Sequence, residues 1–130
     1  MTPEDMVGRL MTTDVKTIDV RELAKEAVDL MASKEIGDLV VTRDGKPAGI
    51  VTERDILRKI SRGVDIQRAT VEDIMSSPLI TAKTDTSAIE ALETIFKNNI
   101  RRLPVIDAGK LVGIVTERDL FRWVLKVAYG

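Results

Sequence analysis

Seven residues, GIVTERD, occur twice in this chain without a change, at Gly49–Asp55 and again at Gly113–Asp119. The two copies are 64 positions apart, and the same offset aligns Val7–Lys59 with Val71–Trp123 without a gap, with 19 identities among 53 pairs. A repeat of this length and fidelity predicts two copies of one structural unit. The predicted parts are a first repeat with a helical lead-in at 1–62, a linker at 63–70 and a second repeat at 71–130.

Both repeats show the same order of predicted elements, β-α-β-β-α, which places the chain in a mixed α/β (α+β) class. Apolar residues recur at helical spacing from Arg21 to about Lys34 and from Ser87 to about Asn98. Turn residues at Asp44-Gly45 and Ala108-Gly109 separate apolar runs and predict hairpins. The predicted strands are Val15–Ile18, Leu39–Arg43, Pro47–Val51, Leu79–Ala82, Leu103–Asp107 and Leu111–Val115, with lead-in helices around Asp5–Leu10 and Val71–Met75 and closing helices from Thr52 and Thr116.

The composition argues against several classes of function. With 44% hydrophobic and 32% charged residues, the 130-residue chain is typical of a folded globular domain. The absence of Cys and His excludes disulfides, thiolate catalysis and Cys-based zinc sites, and removes the commonest general base and metal ligand. A net charge of −1 makes general nucleic-acid binding unfavourable. No apolar run is long enough to span a membrane, and the acidic N-terminus is unlike a secretory signal, so we expect a cytoplasmic protein without a catalytic or metal site.

The repeated heptapeptide has a structural and a functional interpretation. Thr is a good helix N-cap, and an Asp three residues later resembles a capping box, so the motif can simply be a strand-to-helix corner. The same geometry leaves amide groups at a helix N-terminus, where anions bind. A hydroxyl and an acid beside those amides suit a nucleotide, because a carboxylate can accept both hydrogen bonds from a ribose diol. Both interpretations stay open at this stage.

A duplicated β-α-β-β-α unit, with RRLPVID on the second strand and GIVTERD running into the last helix, resembles the CBS (cystathionine β-synthase) domain pair, also called a Bateman module. The resemblance covers essentially the whole chain. It implies two units packed about a pseudo-twofold axis with two clefts between them, and modules that often pair into dimers. It also implies a regulatory role with adenosine-containing ligands: AMP is favoured, ADP and ATP fit as well, and S-adenosylmethionine or NAD are alternatives.

The resemblance also assigns candidate ligand residues. The family's hydroxyl and acid match Thr52 and Asp55 in the first repeat, and Thr116 and Asp119 in the second. Arg54 and Arg118 lie beside the acids and are assigned a supporting role, with a helix-surface role as the alternative. The positions that would hold the adenine are Thr17, Ile18 and Ile36, and Thr81, Ala82 and Ile100, for each of which core packing is the alternative.

The second predicted strand distinguishes the two repeats. Arg101 and Arg102 precede Leu103-Pro104, whereas Gly37 and Asp38 stand at the matching positions of the first repeat. The resemblance assigns a basic residue at this place to the ligand phosphate, and a guanidinium can bind phosphate bidentately. We therefore expect the second-repeat cleft to bind a nucleotide phosphate more tightly. Two alternatives remain for the arginines: they form a solvated surface patch, or they contact a phosphate bound in the cleft of the other repeat.

The last helix predicts an interface. In Leu120–Tyr129 apolar residues surround most of the helix, and only Arg122 and Lys126 remain polar. A helix that is apolar on most sides must be covered on most sides. Packing against the chain's own lead-in segment would cover part of it, and the preferred interpretation is a homodimer interface, arranged either head-to-head or head-to-tail.

Taken together, the sequence predicts a regulatory, non-catalytic sensor that binds an adenine nucleotide and acts through a partner protein or its own dimer. An enzyme is disfavoured, since the catalytic part of an IMP dehydrogenase would need far more chain and a Cys nucleophile. A nucleic-acid-binding or purely structural dimerisation module is the remaining alternative, and its binding to RNA or DNA would fall steeply with salt.

Overall fold

A computed structural model of the protein describes residues 2–130, which form two compact units. The Asp55 unit comprises Lys16–Leu79, and the Asp119 unit comprises residues 2–15 together with Ile80–Gly130. Each unit is named after the acid of its GIVTERD copy. A unit therefore differs from a sequence repeat, because the lead-in that precedes each repeat belongs to the unit containing the other repeat.

Helices and strands follow the predicted order in the first repeat, and in the second repeat apart from its first strand. After a 3-10 turn at Pro3–Asp5, the elements are α1 (Val7–Leu10), β1 (Thr17–Asp19), α2 (Ala24–Lys34), β2 (Asp38–Arg43), β3 (Lys46–Thr52), α3 (Glu53–Ser61), α4 (Val71–Ile74), α5 (Ala88–Asn98), β4 (Arg102–Asp107), β5 (Lys110–Thr116) and α6 (Glu117–Tyr129).

In the Asp55 unit, the three strands form one sheet in the order β1-β2-β3. β1 runs parallel to β2, and β2 runs antiparallel to β3. The turn between β2 and β3 has positive φ angles at Asp44 (52°) and Gly45 (80°), as a two-residue hairpin turn requires. Helix α2 ends at Glu35, whose left-handed conformation stops it before β2 begins.

In the Asp119 unit, β4 and β5 form the matching hairpin, and its turn at Ala108 and Gly109 again has positive φ angles. The strand predicted at Leu79–Ala82 is wrong, because only an isolated parallel bridge joins Ala82 to Val105. The reason lies in β4. Val40 donates its backbone N–H to Lys16 in the Asp55 unit, whereas the matching residue Pro104 has no N–H to donate.

The lead-in helices complete the cores of the two units. Val71 and Ile74 of α4 are fully buried in the Asp55 unit, and Val7 of α1 is fully buried in the Asp119 unit. The backbone N–H of Val71 donates to the Glu22 carbonyl at 2.8 Å, and the matching N–H of Val7 donates to the Thr86 carbonyl at 2.8 Å. The exchange of lead-ins is thus reciprocal, residue for residue.

The first glycine of each heptapeptide lies where a lead-in crosses the last strand. A Cβ placed on Gly49 would stand 2.7 Å from the carbonyl oxygen of Ser76, and one on Gly113 would stand 2.9 Å from that of Thr12. Real Cβ atoms do not approach backbone this closely, so only glycine fits without a shift. The repeated Gly thus follows from the exchanged lead-ins.

Helix α6 is covered on one side only. Leu120 is fully buried in the core of the Asp119 unit, and Trp123 packs against that core. The lead-in alternative therefore accounts for part of the helix, and Leu120 is core rather than interface. Five apolar side chains remain 37–86% exposed: Phe121, Val124, Leu125, Val127 and Tyr129. No helix within residues 2–130 is long and apolar enough to cross a membrane.

Candidate ligand site at the repeated strand–helix corner

Each GIVTERD copy forms the end of a strand and the capped start of a helix. In the Asp55 corner (Gly49–Asp55), the N–H of Asp55 donates to Thr52 Oγ1 at 3.1 Å, and the N–H of Thr52 donates to Asp55 Oδ2 at 2.9 Å. In the Asp119 corner (Gly113–Asp119), the matching distances are 3.1 and 2.9 Å. Both corners are capping boxes, so the structural interpretation of the motif is correct.

The amide groups that open the two helices are largely used inside the chain. Besides the two bonds of each capping box, Glu53 donates its N–H to the Gly37 carbonyl at 3.2 Å, and Glu117 donates to the Arg101 carbonyl at 2.7 Å. Three of the four orphan amides of each helix are thereby satisfied. An anion at either corner would therefore depend on cationic side chains more than on bare amides.

The acid of the Asp55 corner accepts three hydrogen bonds and is buried, with 7% of the residue exposed. Its Oδ2 accepts hydrogen bonds from the Thr52 N–H and the Thr52 hydroxyl, both at 2.9 Å. Its Oδ1 accepts a third bond, at 2.7 Å, from the hydroxyl of Ser76. Sequence reasoning missed Ser76, although a hydroxyl residue at both Thr12 and Ser76 was a signal that could have drawn attention to it.

The acid of the Asp119 corner has different neighbours. Asp119 is partly buried, and its Oδ2 accepts the Thr116 N–H. Its Oδ1 lies 4.0 Å from Nη1 of Arg122, one turn further along α6. The corresponding arginine of the first repeat, Arg58, makes no ion pair with Asp55 among the residues that the structure describes. The two acids thus differ in the group that faces Oδ1: a neutral hydroxyl in one corner and a guanidinium in the other.

The residues that distinguish the two repeats lie directly across the hairpin from the motif threonines. Arg102 pairs with Thr116 in the β4-β5 ladder, and Asp38 pairs with Thr52 in the β2-β3 ladder. Directly opposed residues of an antiparallel pair have Cβ atoms only ~5 Å apart. One corner therefore carries a guanidinium beside its threonine, and the other a carboxylate. Arg101 precedes Arg102 and is exposed.

The predicted adenine positions fall at the same edge of each unit, but they differ in burial. Thr17 opens β1, and Ile36 precedes β2 and packs partly buried against the core. In the Asp119 unit, Ile100 likewise packs partly buried against the core. Ile18 and Ala82 are buried core residues, as their alternative interpretation held, whereas Thr17, Thr81, Arg54 and Arg118 are exposed.

A cavity of about 470 Å³ adjoins the Asp119 corner. Its walls include Leu10 of the lead-in and Asp119, Trp123 and Val127 of α6. The indole N–H of Trp123 donates to Asp5 Oδ1 at 2.7 Å, and this bond, with further bonds from Thr2, holds the pKa of Asp5 below its ordinary value. Within residues 2–130, no group of three or more Asp or Glu side chains is placed to hold a metal ion.

The Asp55 unit carries a mixed three-stranded sheet and the Asp119 unit an antiparallel hairpin, and each unit has a capped strand–helix corner. The family model of the CBS domain matches residues 7–62 and again residues 71–126. The chain belongs to the CBS domain family and carries two copies of the domain.

Curated relatives place the same segment in longer proteins. The chain is 39% identical over 119 residues to an uncharacterized protein, MK0525, of Methanopyrus kandleri, and covers 61% of its length. It is 38% identical over 112 residues to inosine-5'-monophosphate dehydrogenase of Thermoplasma acidophilum, and covers 22% of that enzyme. The matches use 89% and 85% of this chain, so it spans less than two thirds of either relative.

Solved structures agree with the fold. A putative signal-transduction protein with CBS domains from Burkholderia ambifaria is 30% identical, with a TM-score of 0.87, and the match covers 93% of this chain and 94% of that one. The CBS domain pair of protein MJ0100, in complex with 5'-methylthioadenosine and S-adenosyl-L-methionine, is 27% identical, with a TM-score of 0.83 and coverages of 94% and 97%.

Proposed function

We propose that the chain is a non-catalytic regulatory module that binds adenosine-containing ligands at its two strand–helix corners. The supporting observation is that a Thr-Asp pair is built twice with the same geometry, in a fold whose relative MJ0100 was solved with two adenosine compounds. Asp55 and Asp119 would bind the ribose hydroxyls, and the capped helix start would hold each carboxylate in place. The absence of Cys and His supports the non-catalytic part of the proposal.

AMP is the ligand we favour for the Asp119 corner, with ADP and ATP as larger members of the same class. Arg102 pairs with Thr116 across the hairpin, and Arg101 immediately precedes it in the chain. A phosphate bound at this corner would therefore meet cationic side chains. Asp38 stands at the matching place in the Asp55 corner and would repel a phosphate. At that corner, uncharged or cationic adenosine compounds, such as 5'-methylthioadenosine and S-adenosylmethionine, should bind better than a ligand that carries a phosphate.

Isothermal titration calorimetry with AMP and with adenosine tests this proposal. Arg102→Ala should weaken AMP binding by about tenfold, which corresponds to one charge-assisted hydrogen bond, and should leave adenosine binding within about twofold. Arg62→Ala, which removes an exposed arginine at the end of α3, is the matched control and should change neither. Equal losses for AMP and adenosine would contradict the phosphate assignment.

A ligand panel tests the class of ligand itself. The melting temperature should rise with AMP, ADP, ATP, 5'-methylthioadenosine or S-adenosylmethionine, because a ligand that binds only the folded state stabilises it. The double variant Asp55→Ala with Asp119→Ala should lose these shifts while remaining folded by circular dichroism. A panel without any shift in the unmodified protein would refute adenosine binding.

We propose that two copies of the chain form a homodimer, and that the exposed apolar side chains of α3 and α6 are buried in its interface. Leu57 and Ile60 of α3 are 68% and 49% exposed, and their repeat equivalents Phe121 and Val124 are exposed as well. Both repeats thus present apolar side chains at the same helical positions, which is the pattern of a covered surface. Sedimentation should give a dimer at micromolar concentration and a monomer for Leu57→Glu with Phe121→Glu. A monomeric unmodified protein would refute the dimer.

A further inference from the structure

Ser76 holds the carboxylate of the Asp55 corner in a way that the matching residue does not hold the other. The Ser76 hydroxyl donates to Asp55 Oδ1 at 2.7 Å. Its position is fixed by the backbone: the N–H of Ser76 donates to the Ile50 carbonyl at 2.8 Å, and the N–H of Ile50 donates to the Ser76 carbonyl at 3.1 Å. Only rotation about the Cα–Cβ bond can therefore withdraw the hydroxyl while the backbone stays in place.

Thr12 occupies the matching place in the Asp119 unit and provides an internal comparison. Its backbone forms the same pair of hydrogen bonds with Ile114, at 2.9 and 2.9 Å. Yet among residues 2–130 no hydrogen bond joins the Thr12 hydroxyl to Asp119. A β-branched side chain has fewer favourable rotamers than serine. The same backbone thus presents a bound hydroxyl in one unit and leaves the acid without one in the other.

The acceptor capacity of Asp55 makes this contact important for ligand binding. A carboxylate offers about four acceptor directions. Thr52 uses two of them at Oδ2 and Ser76 uses one at Oδ1, which leaves one direction on a side chain that is almost fully buried. A ribose diol needs two. A diol can therefore bind Asp55 with both hydroxyls only after the Ser76 hydroxyl has turned away.

We propose that Ser76 is a built-in competitor for the ligand hydroxyl, and that it makes the Asp55 corner the second of the two to fill. The inference rests on the proposed adenosine-binding function and adds its order of occupancy. Asp119 meets no such hydroxyl, and the Arg122 guanidinium lies 4.0 Å from its Oδ1, beyond hydrogen-bond distance. The Asp119 corner therefore fills at lower ligand concentration even for a ligand without phosphate. Occupation of the Asp55 corner replaces a hydrogen bond within the protein by one to the ligand, which lowers the apparent affinity there.

Calorimetric titration with adenosine tests the inference, because adenosine carries no phosphate for Arg101 or Arg102 to bind. The titrations use the full chain with Asp119→Ala, which leaves the Asp55 corner as the remaining site. Adding Ser76→Ala should tighten adenosine binding by about tenfold, the net strength of one hydrogen bond to a charged group. Adding Thr12→Ala instead is the matched control and should change the affinity by less than about twofold.

A second variant guards against misfolding. Ser76→Thr installs the residue that the Asp119 unit carries, and it should tighten adenosine binding as Ser76→Ala does; circular dichroism establishes that each variant is folded. Adenosine affinity unchanged by both substitutions at Ser76 would overturn the competitor while leaving the binding function intact. Adenosine binding to none of the proteins, the unmodified one included, would instead overturn the binding function and this inference with it.

Discussion

The two strand–helix corners share seven identical residues but not the same surroundings. In the Asp55 corner the acid meets a serine hydroxyl and the threonine pairs with Asp38 across the hairpin. In the Asp119 corner the acid lies near a guanidinium and the threonine pairs with Arg102. The shared residues fix the backbone, the cap and the position of the acid. The residues that differ come from the neighbouring strand and the exchanged lead-in. Duplicated motifs can therefore keep their local geometry while the groups around them differ in charge and hydrogen bonding.

The largest expected effect is on stability when each acid is removed. Asp55→Ala should lower the free energy of unfolding by about 3 kcal/mol, because a buried acid that accepts three hydrogen bonds is lost and the Thr52 N–H and the Ser76 hydroxyl lose their acceptor. Asp119→Ala should cost about 1.5 kcal/mol, since chiefly a cap is lost there. Urea unfolding measures both values. Equal losses would mean that the Ser76 contact adds nothing.

The corner could be predicted from the sequence because it is local. Thr-x-x-Asp after an apolar strand is a capping box by spacing alone, and both closing helices begin where that spacing places them. The Asp44-Gly45 and Ala108-Gly109 turns were likewise predictable from residue type. Such features depend on residues only a few positions apart.

The features that could not be predicted from the sequence depend on contacts between distant segments of the chain. The bond from Ser76 to Asp55 joins residues 21 positions apart, and nothing in the spacing indicates which hydroxyl meets which acid. The exchange of lead-ins likewise has no local signature, since each repeat reads as a complete unit. The missing strand before Ala82 follows from Pro104 on a neighbouring strand, and this pairing had to be known first.

Alanine substitutions at Gly49 and Gly113 test whether the two lead-ins pack equally closely against the two corners. Gly49→Ala should cost about 2 kcal/mol, because the new methyl would meet the carbonyl oxygen of Ser76 at 2.7 Å. Gly113→Ala should cost somewhat less, since its nearest obstacle is the flexible side chain of Met11, with the Thr12 carbonyl at 2.9 Å. Adding Met11→Ala should recover part of the loss. A neutral Gly49→Ala would contradict the close crossing of the lead-in.

The hairpin turns differ in how well their first residue tolerates a left-handed conformation. Asp44 and Ala108 have φ angles of 52° and 50°, but Asp adopts this region more readily than Ala. Ala108→Asn should therefore stabilise the protein by ~0.5–1 kcal/mol, and Asp44→Ala should destabilise it by a similar amount. Thermal unfolding of the two variants measures both changes in stability. A gain for Asp44→Ala would show that its charge, not its conformation, governs this turn.

The smallest expected effect concerns the contact between Trp123 and Asp5, which has no counterpart in the Asp55 unit because Lys59 and Ala69 stand at the matching positions. The indole bond lowers the pKa of Asp5 in the folded chain, so its stabilisation is complete above the unfolded pKa, near pH ~4, and is lost as the pH falls through the lower folded value. Asp5→Asn does not titrate, and it should lower the melting temperature by about 2 °C at pH 7, a difference that vanishes in acid.

The difference in melting temperature between the unmodified protein and Asp5→Asn depends on pH through Asp5 alone, because the two proteins share all their other acids. Trp123→Phe removes the indole donor and should flatten the pH dependence of the Asp5→Asn effect, while the hydrogen bonds from Thr2 leave a remnant. Circular dichroism is the suitable probe, since Trp123 is the sole tryptophan. A difference between the unmodified protein and Asp5→Asn that stays constant from neutral to acid pH would mean that the Asp5 carboxylate gains nothing from folding. The lead-in would then be held by the burial of Val7 and by its backbone hydrogen bonds.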